Sequence, residues 1–329
     1  MIIDIHTHTL CPGVNDILGG PPPRGAVPYQ RDMSEESRAV DGAQGPDLMQ
    51  KFNDGPTRDR AMAAMGVDFQ IIAPAPGQQH YWAEADLLAR LSRAQNDHVA
   101  ATVGRDTGRF AGLGTLPLSA PDAAVREATR AVEELGLRGF QIDSRAHEME
   151  LSDPALDPVW ARLAQLGAVL AIHPLGFSHG QRLSDFFMVN VVGQPLEEII
   201  AVHHLIFGGV LDRHPDLRVL VAHGGGYFPY YVGRMDHAWN ARPELRRLIG
   251  DAPSTYLRRM WYDTCVFDAP TLARLVDLTG ADRVMMGSDW PFDMGDADPV
   301  TLVRAAVPDA AAQAAVLSGT AVDFFRLAR

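Results

Sequence analysis

Residues 1–10 read MIIDIHTHTL, an apolar run that closes on two histidines one residue apart. Ile2, Ile3 and Ile5 are β-branched, so the run is expected to form a buried strand ending near the histidines. Side chains at i and i+2 of a strand share a face, so His6 and His8 present neighbouring imidazoles, as two ligands of one metal ion must. Taken alone, His-x-His also suits a tag scar or an exposed strand edge. What separates these readings is whether other strands end in the same way.

Seven further β-rich runs follow: VDFQIIAPAP from Val67, RFAGLGTLP from Arg109, LRGFQID from Leu137, AVLAIHP from Ala168, LRVLVAHGGG from Leu217, MWYDTCVF from Met260 and DRVMMGSDWP from Asp282. Between most of them lie amphipathic stretches such as APDAAVREATRAVEELG and DPALDPVWARLAQLG, with Pro or Asp near the start and Gly at the end, as helix boundaries prefer. Eight strands alternating with helices read as an α/β fold, a (β/α)8 TIM barrel. A chain of 329 residues suits one such barrel spanning 1–329, since the fold needs about 250 residues plus insertions. Two stretches break the alternation. One, at about 11–56, is rich in Gly and Pro, shows no sustained period and is expected to stand over the barrel mouth; the other, 175–194, is more aromatic and is expected to form a helix beside the same mouth.

Hydrophobic residues make up 47% and charged residues 21% of the chain, the balance of a soluble enzyme. The net charge of −12 argues against nucleic acid or an anionic membrane as partner and favours a small molecule. No signal peptide and no long apolar span is evident, so the cytoplasm is the expected compartment. With Cys11 and Cys265 the only cysteines, a transition metal must be held by histidines and carboxylates.

The polar residues of the strands fall at one end. His6 and His8 close the first strand, His173 the fifth, His223 the sixth and Asp289 the eighth. In a closed barrel those ends converge on one axis, where catalytic groups of this architecture lie. Neutral imidazoles and a carboxylate suit zinc or another divalent ion such as manganese, with a position left open for water or substrate.

These residues resemble the amidohydrolase superfamily, and within it the branch of 2-amino-3-carboxymuconate-6-semialdehyde decarboxylase. The likeness is carried by DIHTH, GLGTLPL, the HP after the fifth strand, HLIFGGVLDRHPDLRVLVAHGGGYFPYYVGR and VMMGSDWPF. It implies a distorted barrel with one zinc bound by His6, His8, His173 and Asp289, and His223 beside the metal handling protons. It also implies a homodimer in which Arg234 enters the neighbouring subunit's site to grip a substrate carboxylate. Arg182 matches another arginine of the relatives and is a candidate for the pocket. Binuclear members bridge two metals with a lysine at the end of the fourth strand; this chain reads GFQID there, and its only lysine is Lys51, so one ion is expected.

The chain also departs from that branch. Where relatives carry a second carboxylate-binding arginine it reads DGAQGPDLMQKF, and Leu175 and Asn190 stand where tryptophans are expected. The substrate is therefore expected to be a different small unsaturated or aromatic acid. Metal-activated water with His223 as base would equally serve a hydrolase of a cyclic amide or lactone, or a hydratase of a conjugated acid, and a non-catalytic metal-binding barrel is the remaining alternative. Arg58 and Arg60 are read as solvated helix charges, His203 and His204 as surface or interface residues, Asp263 as a carboxylate able to orient a ligand, and Cys265 as buried.

Overall fold

The computed structural model describes residues 1–23 and 25–328. All eight expected strands form: β1 (Ile3–Thr9), β2 (Phe69–Pro74), β3 (Phe110–Gly112), β4 (Gly139–Ile142), β5 (Val169–Ile172), β6 (Arg218–Val221), β7 (Met260–Asp263) and β8 (Val284–Met285). Parallel pairing gives a three-stranded sheet, β1-β2-β3, and a five-stranded sheet, β8-β7-β6-β5-β4. Two seams join them into a ring. Gly114 bridges to Phe140 between β3 and β4, with the Gly114 N–H donating to the Gly139 carbonyl at 2.8 Å. Thr7 bridges to Trp290 between β1 and the segment after β8, where the Asp289 N–H donates to the His6 carbonyl at 2.9 Å. The ring is distorted because β3 and β8 are short and both seams are single bridges.

Inside the ring, Ile3, Ile5, Phe69, Ile71, Ala111, Val169, Ala171, Leu220 and Met285 form one apolar cluster with Ala321, Val322, Phe324 and Phe325. The last four belong to the C-terminal helix Thr320–Phe325, which plugs the end where the strands begin. The opposite end is left to polar residues. A larger apolar cluster fills the layer between the strands and the outer helices.

One irregularity decides the site. Strict alternation would send His6 to the face opposite Ile3 and Ile5. In β1 the register slips by one residue, Asp4 pairing with Gln70 but Thr7 with Ile72. Such a bulge reverses the phase of the strand, so the isoleucines pack the interior and both histidines still reach the mouth.

The first insertion is helical, contrary to its patternless sequence: Gly13–Leu18, Pro28–Asp32 and Glu35–Asn53. The longest of these contains Pro46 and buries only Phe52, so no apolar stripe was there to read. The Ser34 side chain caps it by accepting from the Ser37 N–H. The second insertion forms the short turns Gly180–Leu183 and Asp185–Phe187 and the helix Met188–Val191, then runs into the helix Gly193–Phe207. Among the described residues no helix is long and apolar enough to cross a membrane.

Candidate metal centre

His6, His8, His173 and Asp289 converge at the strand ends, all four buried, with one potential ligand atom from each lying within 4.8 Å of the others. Each imidazole is oriented by its Nδ1–H. That of His6 donates to Asp263 Oδ2 at 2.7 Å, that of His8 to the Pro74 carbonyl at 3.3 Å, and that of His173 to the Pro174 carbonyl at 3.0 Å. The three Nε2 atoms are thereby turned on Asp289 Oδ1, at 3.3, 3.2 and 3.9 Å respectively. The His6 and His173 Nε2 atoms are buried with no hydrogen-bond partner.

Orphaned imidazole nitrogens around one carboxylate oxygen fit a divalent cation. Ligands of a tetrahedral zinc at about 2.0–2.1 Å lie about 3.3 Å from one another, close to the separations found. Two of the three imidazoles are held neutral. Burial pushes His173 down to about 3 and His8 below its usual range, leaving free lone pairs. Burial works against the Asp289 anion, yet His6 and the other imidazoles hold its carboxylate well below the ordinary value. Burial likewise opposes charge on His6, but Asp289 and Asp263 raise it.

His223 stands beside this group. Its Nε2 lies 3.7 Å from Asp289 Oδ2, its Nδ1 pairs with Glu198 Oε1 at 2.5 Å, and its backbone N–H donates to Asp263 Oδ2 at 3.0 Å. The residue has φ 49°, at the head of a turn that Gly224 and Gly226 continue at φ 61° and 57°. A Cβ on Gly226 would lie 2.5 Å from Glu198 Oε2, so glycine is required for the turn to pass over that carboxylate. Burial lifts the Glu198 carboxyl to about 7. The Glu198 anion in turn raises His223, against the burial that opposes its charge.

The cleft over these residues has two lobes, of about 150 and 300 Å3, that share Asn190, Gln194, His223, Asp289 and Met294. Tyr29, Gln44 and Leu48 of the first insertion roof the smaller lobe, so that insertion does stand over the mouth. Tyr227, Tyr230 and Phe267 flank the larger. Gln194 Oε1 is buried without a partner.

The structure thus brings together His6, His8, His173, His223 and Asp289, with Asp263 beneath them. Arg182 and Arg234 stay outside. Both are exposed, and among the described residues neither lobe is lined by any arginine or lysine. Lys51 pairs with Asp47 at 2.6 Å. Gln141, in the GFQID that ends β4, donates to the Pro74 carbonyl at 3.0 Å. Arg58 is not a solvated helix charge: it is 5% exposed and donates to the His8 carbonyl at 2.6 Å. Glu198 and Gln194 escaped the sequence reading. Their four-residue spacing within GQPLEEII, polar groups inside an apolar helix, was the available signal.

A family model for amidohydrolases matches residues 3–327. The chain belongs to the amidohydrolase family. It is 33% identical to a 2-amino-3-carboxymuconate-6-semialdehyde decarboxylase of Dictyostelium discoideum, over 99% of this chain and 91% of that protein. A gamma-resorcylate decarboxylase of Rhizobium radiobacter is 28% identical over 72% of this chain and 76% of its own length. Among solved structures, a 5-carboxyvanillate decarboxylase from Sphingomonas paucimobilis superposes with a TM-score of 0.86 at 27% identity, covering 99% of both chains. This amidohydrolase therefore sits among metal-dependent decarboxylases in both sequence and fold.

Proposed function

We propose that this member of the amidohydrolase family, a metal-dependent decarboxylase, releases CO2 from a small aromatic or unsaturated carboxylic acid with one zinc ion per chain, manganese being the alternative metal. The reading is carried by one observation: buried Nε2 atoms with no partner face a single carboxylate oxygen at the end of the barrel where the strands finish. His6, His8, His173 and Asp289 would hold the ion, and the absence of a lysine at the end of β4 supports one ion over two. Bound there, such an ion would supply Lewis acidity for the negative charge that develops as CO2 leaves.

The chain's own residues must then deliver a proton. Loss of CO2 leaves an electron pair on the carbon that bore the carboxylate, and a proton must take its place. His223 is suited to the task, because Glu198 on its Nδ1 favours the protonated ring and its Nε2 faces the cleft beside Asp289. Asp289 Oδ2, turned toward His223 and away from the imidazole cluster, is the second group within reach. Asn190 and Gln194 offer neutral hydrogen bonds to the body of the substrate.

A carboxylate also calls for a cation, and the chain's own cleft lacks one among the described residues. Arg234 of a second copy, in a homodimer, is the group proposed to meet it, with Arg182 of the second insertion the candidate within the same chain. Two buried, unpaired cysteines accord with a cytoplasmic protein.

The test combines elemental analysis with CO2 capture. Purified protein should carry about one ion per chain and release CO2 in step with loss of acid from a panel of hydroxybenzoic and unsaturated acids. Hydrolysis of lactones or cyclic amides with no CO2 from any acid would instead make the site a hydrolase. Two tightly held ions per chain would overturn the mononuclear assignment.

A further inference from the structure

Asp41, Gln44 and Leu48 stand at i, i+3 and i+7 of the helix Glu35–Asn53, so a single face of that helix is turned on the smaller lobe of the cleft. Asp293, four residues beyond Asp289, lines the same lobe, and its Oδ2 accepts from Gln44 Nε2 at 3.2 Å. Asp41 has no hydrogen bond and no ion pair among the described residues. Partial burial lifts its carboxyl above the ordinary range and the Asp293 charge adds to the lift, so the two carboxylates lie close enough to repel. The Tyr29 hydroxyl, also lining the lobe, is pushed up by its burial and then by the same two anions, which places it near both.

The lobe therefore has two unlike ends. Its floor belongs to the candidate metal centre: His173 and Asp289 are 5% and 6% exposed, and the unpartnered His173 Nε2 is turned on Asp289 Oδ1 at 3.9 Å. Its outer end holds the half-buried Asp41 and the exposed Asp293. Leu175, Phe187 and Phe292 supply apolar walls that suit a flat ring. A ring acid whose carboxylate goes to the metal end turns its far side to the two aspartates. An ammonium there, with three N–H donors and no acceptor, answers carboxylate oxygens and the Tyr29 oxygen directly. A second carboxylate in that place would meet two like charges with part of its water removed.

We propose that the smaller lobe selects a ring acid carrying an ammonium group at the end away from its carboxylate, and excludes one with a second carboxylate there. The proposal rests on the decarboxylase reading, which puts the substrate carboxylate at the metal end; Asp41 and Asp293 set specificity and take no part in the bond that breaks. Such a substrate is a zwitterion without net charge, so a chain of net charge −12 does not repel it as it would a dianion.

Calorimetric titration of zinc-loaded full-length protein compares 4-(aminomethyl)benzoate, 4-methylbenzoate and terephthalate, which share a ring and a carboxylate and differ only at the opposite end. The ammonium ligand should bind about fivefold or more tightly than the methyl ligand, and terephthalate more weakly than either, the spread narrowing in added salt as it does for partly exposed charges. Asp41→Asn combined with Asp293→Asn should bring the three affinities together and leave that of 4-methylbenzoate unchanged. Equal binding of the three, tighter binding of terephthalate, no binding of the ammonium ligand, or a preference that survives the double variant would each overturn the proposal. If the double variant fails to fold, the ranking on the unaltered chain decides alone. Failure of the decarboxylase reading shows separately, as no CO2 from any acid of the panel, whatever order these three ligands take.

Discussion

Asp263 collects hydrogen bonds from the His6 ring at 2.7 Å and from the backbone N–H groups of His223, Gly224 and Cys265 at 3.0, 2.8 and 3.0 Å. Burial favours its neutral form, but the His6 hydrogen bond and charge, the His223 charge and the Gly224 N–H together hold the carboxyl below its usual range. The same anion therefore aims a proposed metal ligand and fixes the turn that carries His223, placing the two roles in separate side chains joined at one carboxylate. A division of labour follows. His6→Ala should lose metal and turnover together, because a ligand is removed and Asp263 loses its only side-chain donor among the described residues. His223→Ala should keep its metal and lose turnover by ~10²-fold or more, since only the proton path is cut. Metal content and rate are to be measured on the same samples. An empty His223→Ala protein would make His223 a ligand and reverse the assignment.

At the scale of elements, the site depends on β1 holding a bulge between neighbours that keep regular register, and a buried helix residue pins it there. Arg58, from the helix Gly55–Met65, donates to the His8 carbonyl at 2.6 Å and to Gln70 Oε1 at 3.1 Å, and its guanidinium lies 4.3 Å over the Trp290 ring. Arg58→Met keeps the bulk but leaves the His8 carbonyl without its charged donor, a loss of about 1.5–3 kcal/mol by the usual worth of such bonds. The denaturation midpoint should fall accordingly and metal should bind more weakly; a variant as stable as the parent would remove Arg58 from the account of β1. The sequence disclosed the eight strands because β-branched runs and strand-ending histidines are local signals, visible in MIIDIHTH and AVLAIHP alike. It concealed the bulge because an extra residue in a ladder is defined by the partner strand, here the pairing of Thr7 with Ile72. Arg58 was misread for a related reason: one charge near the start of a polar helix looks solvated until Trp290, from the far end of the chain, covers it. The helix Glu35–Asn53 left no period because its contacts bury a single side chain.

The whole molecule raises the question of what completes a cleft that has no cation of its own among the described residues. Arg234 is exposed on the helix Phe228–Ala241, which begins directly after the glycine turn carrying His223, and Tyr227, Tyr230 and Tyr231 near the start of that helix are exposed as well. If this face meets a second copy about a two-fold axis, each arginine serves its partner's site, and two different inactive variants should rescue each other. In a mixed dimer of Arg234→Ala with Asp289→Ala, the site on the Arg234→Ala chain keeps its own Asp289 and borrows an intact arginine. The other site has lost both groups. Random exchange makes about half of the dimers mixed, so about a quarter of the wild-type sites should work, provided that the interface is symmetric and the sites independent. The variants would be unfolded and refolded together, the mixed dimers confirmed by mass spectrometry and turnover compared with each parent, both of which should be nearly inactive. Mixed dimers no more active than the parents would mean that Arg234 serves its own chain or no site at all. If it serves no site, the substrate carboxylate would have to be held by the metal with the neutral groups of Asn190 and Gln194, or by Arg182.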